Sequence, residues 1–205
     1  MKIFLLAVLS YIIGSFPTGV VIGKKFYNID IREHGSKNMG GTNAGRVLGK
    51  KAGIIVTVID IAKLMIPTYL ARRYYGIDIA AIIGACGMVG HAYPVFAKFK
   101  GGKCVSSYMG IMLVLNPLSA LIPFAIWNIL KYVLNYVSLS SMIACVLSAF
   151  LFKFFSPENQ IAFYVMLAAA FFVIFLHRAN IKRLLNGTEN KTRKKQAWLF
   201  KIYNI

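Results

Sequence analysis

Residues 160–177 read Q-I-A-F-Y-V-M-L-A-A-A-F-F-V-I-F-L-H, eighteen consecutive positions without Asp, Glu, Lys or Arg. A helix that is apolar all round has no face to show to water, and roughly 20 mostly apolar residues suffice to cross a bilayer. Comparable runs occupy about 3–22, 53–70, 79–95, 105–116, 117–133 and 138–155, so the sequence predicts about seven spans. The run 105–116 is short, and Asn116-Pro117 predicts a tight turn into the next, so six spans also fit. Composition agrees. Of 205 residues 58% are hydrophobic and 15% charged, and the mean hydropathy is +0.65. A soluble all-helical domain of this length could not hide so many all-apolar helices. The expected fold is an all-α, polytopic integral membrane protein.

The formal net charge of +18 would suggest nucleic acid in a soluble chain. Here Lys and Arg sit between the apolar runs, as they do in cytoplasmic loops beside anionic lipid, and no nucleic-acid partner is expected. With the N-terminus outside, Lys24, Lys25, Arg32, Lys37, Arg46, Lys50 and Lys51 all fall on the cytoplasmic side. So do Lys98, Lys100, Lys103, Lys131 and the basic C-terminal residues, while only Lys2, Arg72, Arg73 and Lys153 remain outside. This asymmetry predicts an N-terminus outside and a C-terminus in the cytoplasm. Residues 1–187 are expected to form the membrane domain, and 188–205 a basic tail lying on the anionic surface or disordered. No cleavable leader is expected, and the first apolar run is kept as the first span. Cys86, Cys104 and Cys145 are odd in number and widely spaced, so neither a zinc site nor a disulfide framework is indicated.

Against this background Asp30–Gly49, D-I-R-E-H-G-S-K-N-M-G-G-T-N-A-G-R-V-L-G, has neither a helix nor a strand period. It places Gly35, Gly40, Gly41 and Gly45 among Ser36, Asn38, Thr42 and Asn43, with Arg32, Lys37 and Arg46 close by. Glycines let backbone N–H groups approach a ligand, and such groups beside cations form an anion cradle. A plain connector would need fewer such donors. The strings Gly19–Lys24 and Gly45–Lys50 have one residue too few for a P-loop and follow no strand.

Two further polar motifs fall on the same predicted face. Gly90–Lys103 ends in Gly101-Gly102-Lys103, glycines for close backbone approach followed by a point charge. Its aromatic and lysine residues also suit an interfacial belt, and His91 is either a ligand-facing group or a helix-end histidine bonded to a carbonyl. His177 and Asn180 are three apart and share a helical face at the end of the last span. They could bind an anion or move a proton, or could simply belong to a basic helix C-terminus. Asp60 and Lys63, also three apart, predict a buried ion pair, since a lone intramembrane charge costs about 2.5–3.5 kcal/mol. Ser138, Ser140 and Ser141 open the sixth span as caps or as added hydroxyls. There is no H-x-x-x-x-D, no G-x-S-x-G and no acidic metal cluster. Chemistry must rest on cations, hydroxyls, amides and histidine, which suits anionic substrates, and neither metal nor cofactor is expected.

Taken together these motifs resemble the integral membrane acyl-phosphate:glycerol-3-phosphate acyltransferases of bacteria, the PlsY family. The resemblance runs through Gly14–Gly19, Asp30–Arg46, Gly90–Lys103, Tyr136–Ser141 and His177–Glu189, in order and over nearly the whole chain. It implies a seven-helix membrane enzyme, with its site at the cytoplasmic face of the bacterial inner membrane. Such an enzyme moves a fatty acyl group from acyl phosphate to the 1-hydroxyl of glycerol 3-phosphate, giving lysophosphatidic acid and phosphate. The resemblance marks Ser36, Arg46, Lys103, His177 and Asn180 as catalytic residues. It marks Asn38, Thr42, Asn43, Gly101, Gly102, Ser140 and Ser141 as substrate-binding, with the loop from Ser36 to Arg46 on the acyl-phosphate side and Gly101–Lys103 toward glycerol 3-phosphate. The base for the hydroxyl proton is His177 or the donor's own phosphate. The chain departs from the family in having Cys104 in place of glycine, Gly41 in place of alanine, and Leu64 in place of the glycine after the lysine. The alternatives are a transporter or receptor for phosphorylated metabolites, and a structural membrane protein whose charges only set topology.

Overall fold

A computed structural model of the chain describes residues 1–192, and among these it is helical with no strand. Residues 193–205, most of the expected basic tail 188–205, lie outside the described residues. α1 (Lys2–Gly14) stops just before Phe16-Pro17, because proline supplies no N–H and disfavours helix in the residue before it. α2 (Thr18–Tyr27) resumes at once. The polar stretch is not all loop, since Gly41–Val47 forms a short helix, α3. α4 (Lys50–Ala92), a 3₁₀ turn (Val95–Ala97) and α5 (Val105–Leu115) follow. α6 (Pro117–Leu134) begins with proline at its first position and Asn116 as a cap accepting from the Ser119 N–H. α7 (Val137–Phe155), α8 (Gln160–Leu176) and α9 (Arg178–Leu185) follow among the described residues.

α4 is two antiparallel limbs. Gly76 has φ 86° and ψ 177°, a region essentially confined to glycine, and the helix reverses there. The reversal brings Lys63 Nζ within 2.9 Å of His91 Nδ1, and a Cβ on Gly87 would meet Leu64. The expected spans 53–70 and 79–95 are these limbs. Among the described residues, four segments are long and apolar enough to cross a membrane: Lys2–Tyr27, Lys50–Ala97, Pro117–Leu134 and Val137–Phe155. α8 and α9, bent by 57° at His177, make a fifth if taken as one. The expected seven counted both α4 limbs and also α5, whose 11 residues rise only about 16 Å.

Small residues let the helices approach closely. Gly14 rests on Gly87, Gly90 on the Tyr11 carbonyl and Gly110 on the Ile61 carbonyl, and in lipid such packing substitutes for the hydrophobic effect. Ser10 Oγ also donates to the Ile83 carbonyl, 2.7 Å away. The main core gathers Leu64, Ile83, Tyr108, Ile111, Met112, Phe152 and Met166. A second cluster of Val20, Ile31, Met39, Ala44 and Val56 anchors the polar stretch onto α2 and α4. Outside, Leu5, Ile66, Phe150, Phe154 and Phe171 are exposed, as lipid-facing side chains must be.

Candidate active site

A cavity of about 400 Å³ is walled by α3, α4, α5, α6 and α7, and the three polar motifs meet at its rim. Ser36, Asn38, Thr42, Asn43 and Arg46 come from the first motif, Lys103 from the second, and His177 and Asn180 from the third.

The first motif is organised by Asn43. Its Oδ1 accepts from the Ser36 N–H at 2.8 Å, while its Nδ2 donates to the carbonyls of Ile31 (2.8 Å) and His34 (3.1 Å). An amide so engaged holds the loop rather than a ligand. Asn38 Oδ1 likewise accepts from the Gly40 N–H, which turns the chain into α3. Upstream, Arg32 donates to both oxygens of Asp30 and holds its carboxyl far below the usual range. Ser36 is half-buried at the cavity, with Thr42 and Arg46 exposed on α3. Gly41 lies so close to α4 that a Cβ would strike Thr57 Oγ1 and the Gly53 carbonyl. Thr57 therefore occupies the space that an alanine at this position would need.

The second motif rests on His91. The Gly102 N–H donates to the His91 carbonyl at 3.0 Å, and a Cβ on Gly102 would strike His91 Nε2. A Cβ on Gly101 would strike the carbonyls of His91 and Ala92. Both glycines thus serve close packing and lie outside the cavity wall, and what they deliver into it is Lys103. Burial, with repulsion from Arg183 and Arg46 opposed by Glu189, lowers the Lys103 pKa to about 8. Cys104 has φ 63°, the left-handed region where glycine is at ease, which fits the glycine that the resemblance implies at this position. Its thiol is turned to the Met88 carbonyl at 3.3 Å.

The third motif completes a chain of polar contacts. Lys103 Nζ donates to Asn180 Oδ1 at 2.6 Å, and Asn180 Nδ2 donates to Glu189 Oε1 at 2.7 Å. Glu189 also accepts from Ser138 Oγ at 2.9 Å and from Arg183 Nε at 2.7 Å. Burial alone would raise the Glu189 pKa, but the bonds from Asn180, Arg183 and Ser138 prevail and lower it. His177 Nδ1 donates to the Val173 carbonyl at 2.8 Å, which leaves its Nε2 lone pair free to accept a proton.

The serines divide. Ser140 is fully buried outside the cavity and donates to the Tyr136 carbonyl. Ser141 lines the cavity, and its oxygen accepts from the Trp127 N–H at 3.0 Å. Beneath the rim the buried Asp60–Lys63 pair has the expected contact at 2.8 Å. Thr18 donates to the same carboxylate oxygen, and Lys63 also reaches the Phe16 carbonyl and His91 Nδ1. His91 thus proves neither a simple helix-end histidine nor a purely ligand-facing one.

Sequence reasoning passed over Glu189, Arg183 and Thr57 as site residues, and offered Ser138 only as a helix cap or an added hydroxyl. Glu189 had one available signal, as the one acidic residue in the basic segment after His177. Chemically the rim offers two cations, a free hydroxyl and a histidine lone pair above an apolar chamber. That combination suits a molecule with an anionic head and a greasy tail.

The sequence model of the glycerol-3-phosphate acyltransferase family matches residues 4–187. A glycerol-3-phosphate acyltransferase of Fusobacterium nucleatum is 42% identical over 192 residues, covering 93% of this chain and 98% of its own. The Bacillus subtilis glycerol-3-phosphate acyltransferase is 43% identical over 194 residues, covering 94% and 99%. The crystal structure of PlsY, an integral membrane glycerol 3-phosphate acyltransferase, in its glycerol 3-phosphate form superposes with a TM-score of 0.90 at 34% identity, over all of both chains. Its lysophosphatidic acid form gives a TM-score of 0.88, covering 97% of this chain and 100% of that one.

Proposed function

This chain belongs to the glycerol-3-phosphate acyltransferase family, and from that membership we propose that it acylates the 1-hydroxyl of glycerol 3-phosphate with an acyl phosphate donor. The products are lysophosphatidic acid and phosphate, the first step of phospholipid synthesis. The observation that carries the reading is the union of the three polar motifs at the rim of one apolar cavity. Lys103 and Arg46 neutralise phosphate, Thr42 and the Gly41 backbone N–H add donors, and the acyl chain lies in the apolar chamber.

The acyl carbon of an acyl phosphate is already activated, so the protein must chiefly align two anions and stabilise the oxyanion. The glycerol hydroxyl oxygen bonds to the acyl carbon, the bond from that carbon to the phosphate oxygen breaks, and phosphate leaves. In this reading Ser36, half-buried at the cavity, orients the reacting groups. Two acceptors stand ready for the hydroxyl proton, the Nε2 of His177 and the donor's own phosphate oxygens. A His177→Gln variant that keeps most of its turnover assigns the proton to phosphate, and one that loses it at all pH values assigns it to His177.

The basic residues support an N-terminus outside and a cytoplasmic rim, where soluble glycerol 3-phosphate arrives. A transporter would need a path to the opposite face, whereas the inner end of this cavity meets the buried Tyr108 and Ala120. The deciding experiment supplies purified protein with glycerol 3-phosphate and, in parallel, palmitoyl phosphate, palmitoyl-CoA and palmitoyl acyl carrier protein. Lysophosphatidic acid is expected from the acyl phosphate, and formation only from a thioester would overturn the donor assignment.

A further inference from the structure

Below the rim the cavity continues as an apolar limb between α5, α6 and α7. On α7 its wall includes Val137 and Ala144 together with Ser138, Ser141, Cys145 and Ser148, the last four being three or four positions apart and therefore on one face. Ser138 belongs to the polar end through its bond to Glu189. Ser148 lies about 15 Å further along the helix axis.

At that depth the limb meets Tyr108 of α5, Ala120 of α6 and Ser148 itself, which are 2%, 4% and 4% exposed. Neither polar side chain there is free to swing aside. The Tyr108 hydroxyl donates to the Met166 carbonyl of α8 at 3.3 Å, and Ser148 Oγ donates to the Ser119 carbonyl of α6. The next residue, Ala149, and Phe152 one turn further along α7 are fully buried in the core. A straight chain running along α7 from the rim therefore meets packed protein at this depth, while Val58 and Phe124 on the other walls of the cavity face outward.

We propose that Tyr108, Ala120 and Ser148 form a stop that sets the acyl-chain length, with Ala120 as the specificity-determining position. The proposal rests on the acyl-transfer reading and adds where the chain ends. Ala120 is the smallest of the three, so bulk added there or at Ser148 removes room only from the far end of the chain. A methylene that no longer seats lowers binding roughly fourfold.

The test uses the full chain with Ala120→Val, Ala120→Leu and Ser148→Leu, each checked for a cooperative melt. Decanoyl, dodecanoyl, myristoyl and palmitoyl donors are supplied both as acyl phosphates and as acyl-CoA, and products are sized by mass. In the leucine variants kcat/KM for the palmitoyl donor should fall roughly ten- to a hundredfold relative to the decanoyl donor, with Ala120→Val between. A folded variant at either position with the wild-type ratio of long to short donors overturns the stop, since the chain would then leave sideways. Absence of turnover by the wild type with every donor overturns the acyl-transfer reading instead.

Discussion

Lys103 Nζ lies 2.6 Å from Asn180 Oδ1, a bond that closes 77 residues of chain and joins the second polar motif to the third. Because the other end of Asn180 is held by Glu189, the position of the ammonium is set from the far side of the cavity. Lys103→Met should therefore remove turnover while leaving the melting temperature within a few degrees of wild type. Glu189→Ala should act differently. It strips the acceptor from Ser138, Asn180 and Arg183 at once, and the buried donors Ser138 and Asn180, left without partners, cost about 1–3 kcal/mol each. Thermal unfolding in detergent should show a large drop for Glu189→Ala, and equal melting of the two variants would refute the division of roles.

The lowered pKa of Lys103 gives the site a pH signature. The ammonium is charged below about 8 and becomes neutral above it, so attraction for phosphate is lost as pH rises through that value. KM for glycerol 3-phosphate should climb between pH 8 and 10 at constant ionic strength. In Lys103→Arg the guanidinium stays charged over that range, and the rise should flatten even if turnover is reduced. The sign for stability is opposite. Between about pH 8 and 10.5 the unfolded lysine binds more protons than the folded one, so the contribution of Lys103 to stability grows with pH there.

Much of this architecture could be read from the sequence, for physical reasons. Uninterrupted apolar runs report lipid contact directly, and the positions of the helices follow from them. The reversal at Gly76 was legible only as a gap between two runs, because a glycine-specific φ leaves no mark beyond the glycine itself. α3 was hidden because Gly41–Val47 contains two glycines and little periodicity, and its helix is held by packing of Ala44 beneath it. At the site, residue type revealed Lys103, Arg46 and His177, but not which polar groups are spent internally. Asn43 and Ser140 read as ligands in sequence, and in the structure their bonds go to the protein's own backbone. Glu189 was obscured by its basic neighbours, since its burial depends on Ser138 from a helix about 50 residues earlier.

Cys104 offers a clean test of backbone strain. A non-glycine residue at φ 63° is strained by about 1 kcal/mol, and here the cost is offset by the buried thiol against the Met88 carbonyl. Cys104→Gly should relieve the strain and lose the packing, leaving stability within about 1 kcal/mol of wild type. Cys104→Val adds β-branching at the same φ and should destabilise by more than 1 kcal/mol. If valine is tolerated as well as glycine, backbone conformation is not what governs this position.

The Asp60–Lys63 pair predicts non-additivity. Lys63 spends its ammonium on Asp60 at 2.8 Å, His91 Nδ1 at 2.9 Å and the Phe16 carbonyl at 3.0 Å, all within the spans. Lys63→Met leaves a buried carboxylate with Thr18 as its remaining hydroxyl donor, and breaking such a pair typically costs about 3–5 kcal/mol. Asp60→Leu leaves an uncompensated ammonium and should cost about as much. The double variant Asp60→Leu/Lys63→Met removes both charges, so its loss should be clearly smaller than the sum of the two. Because the Gly102 turn sits on His91, the double variant should still show a raised KM for glycerol 3-phosphate even where it melts like the wild type. Measuring melting and KM on the same four proteins separates the two consequences. Strict additivity in melting would mean that the charges are not coupled, and an unchanged KM would mean that the pair does not position Lys103 through His91.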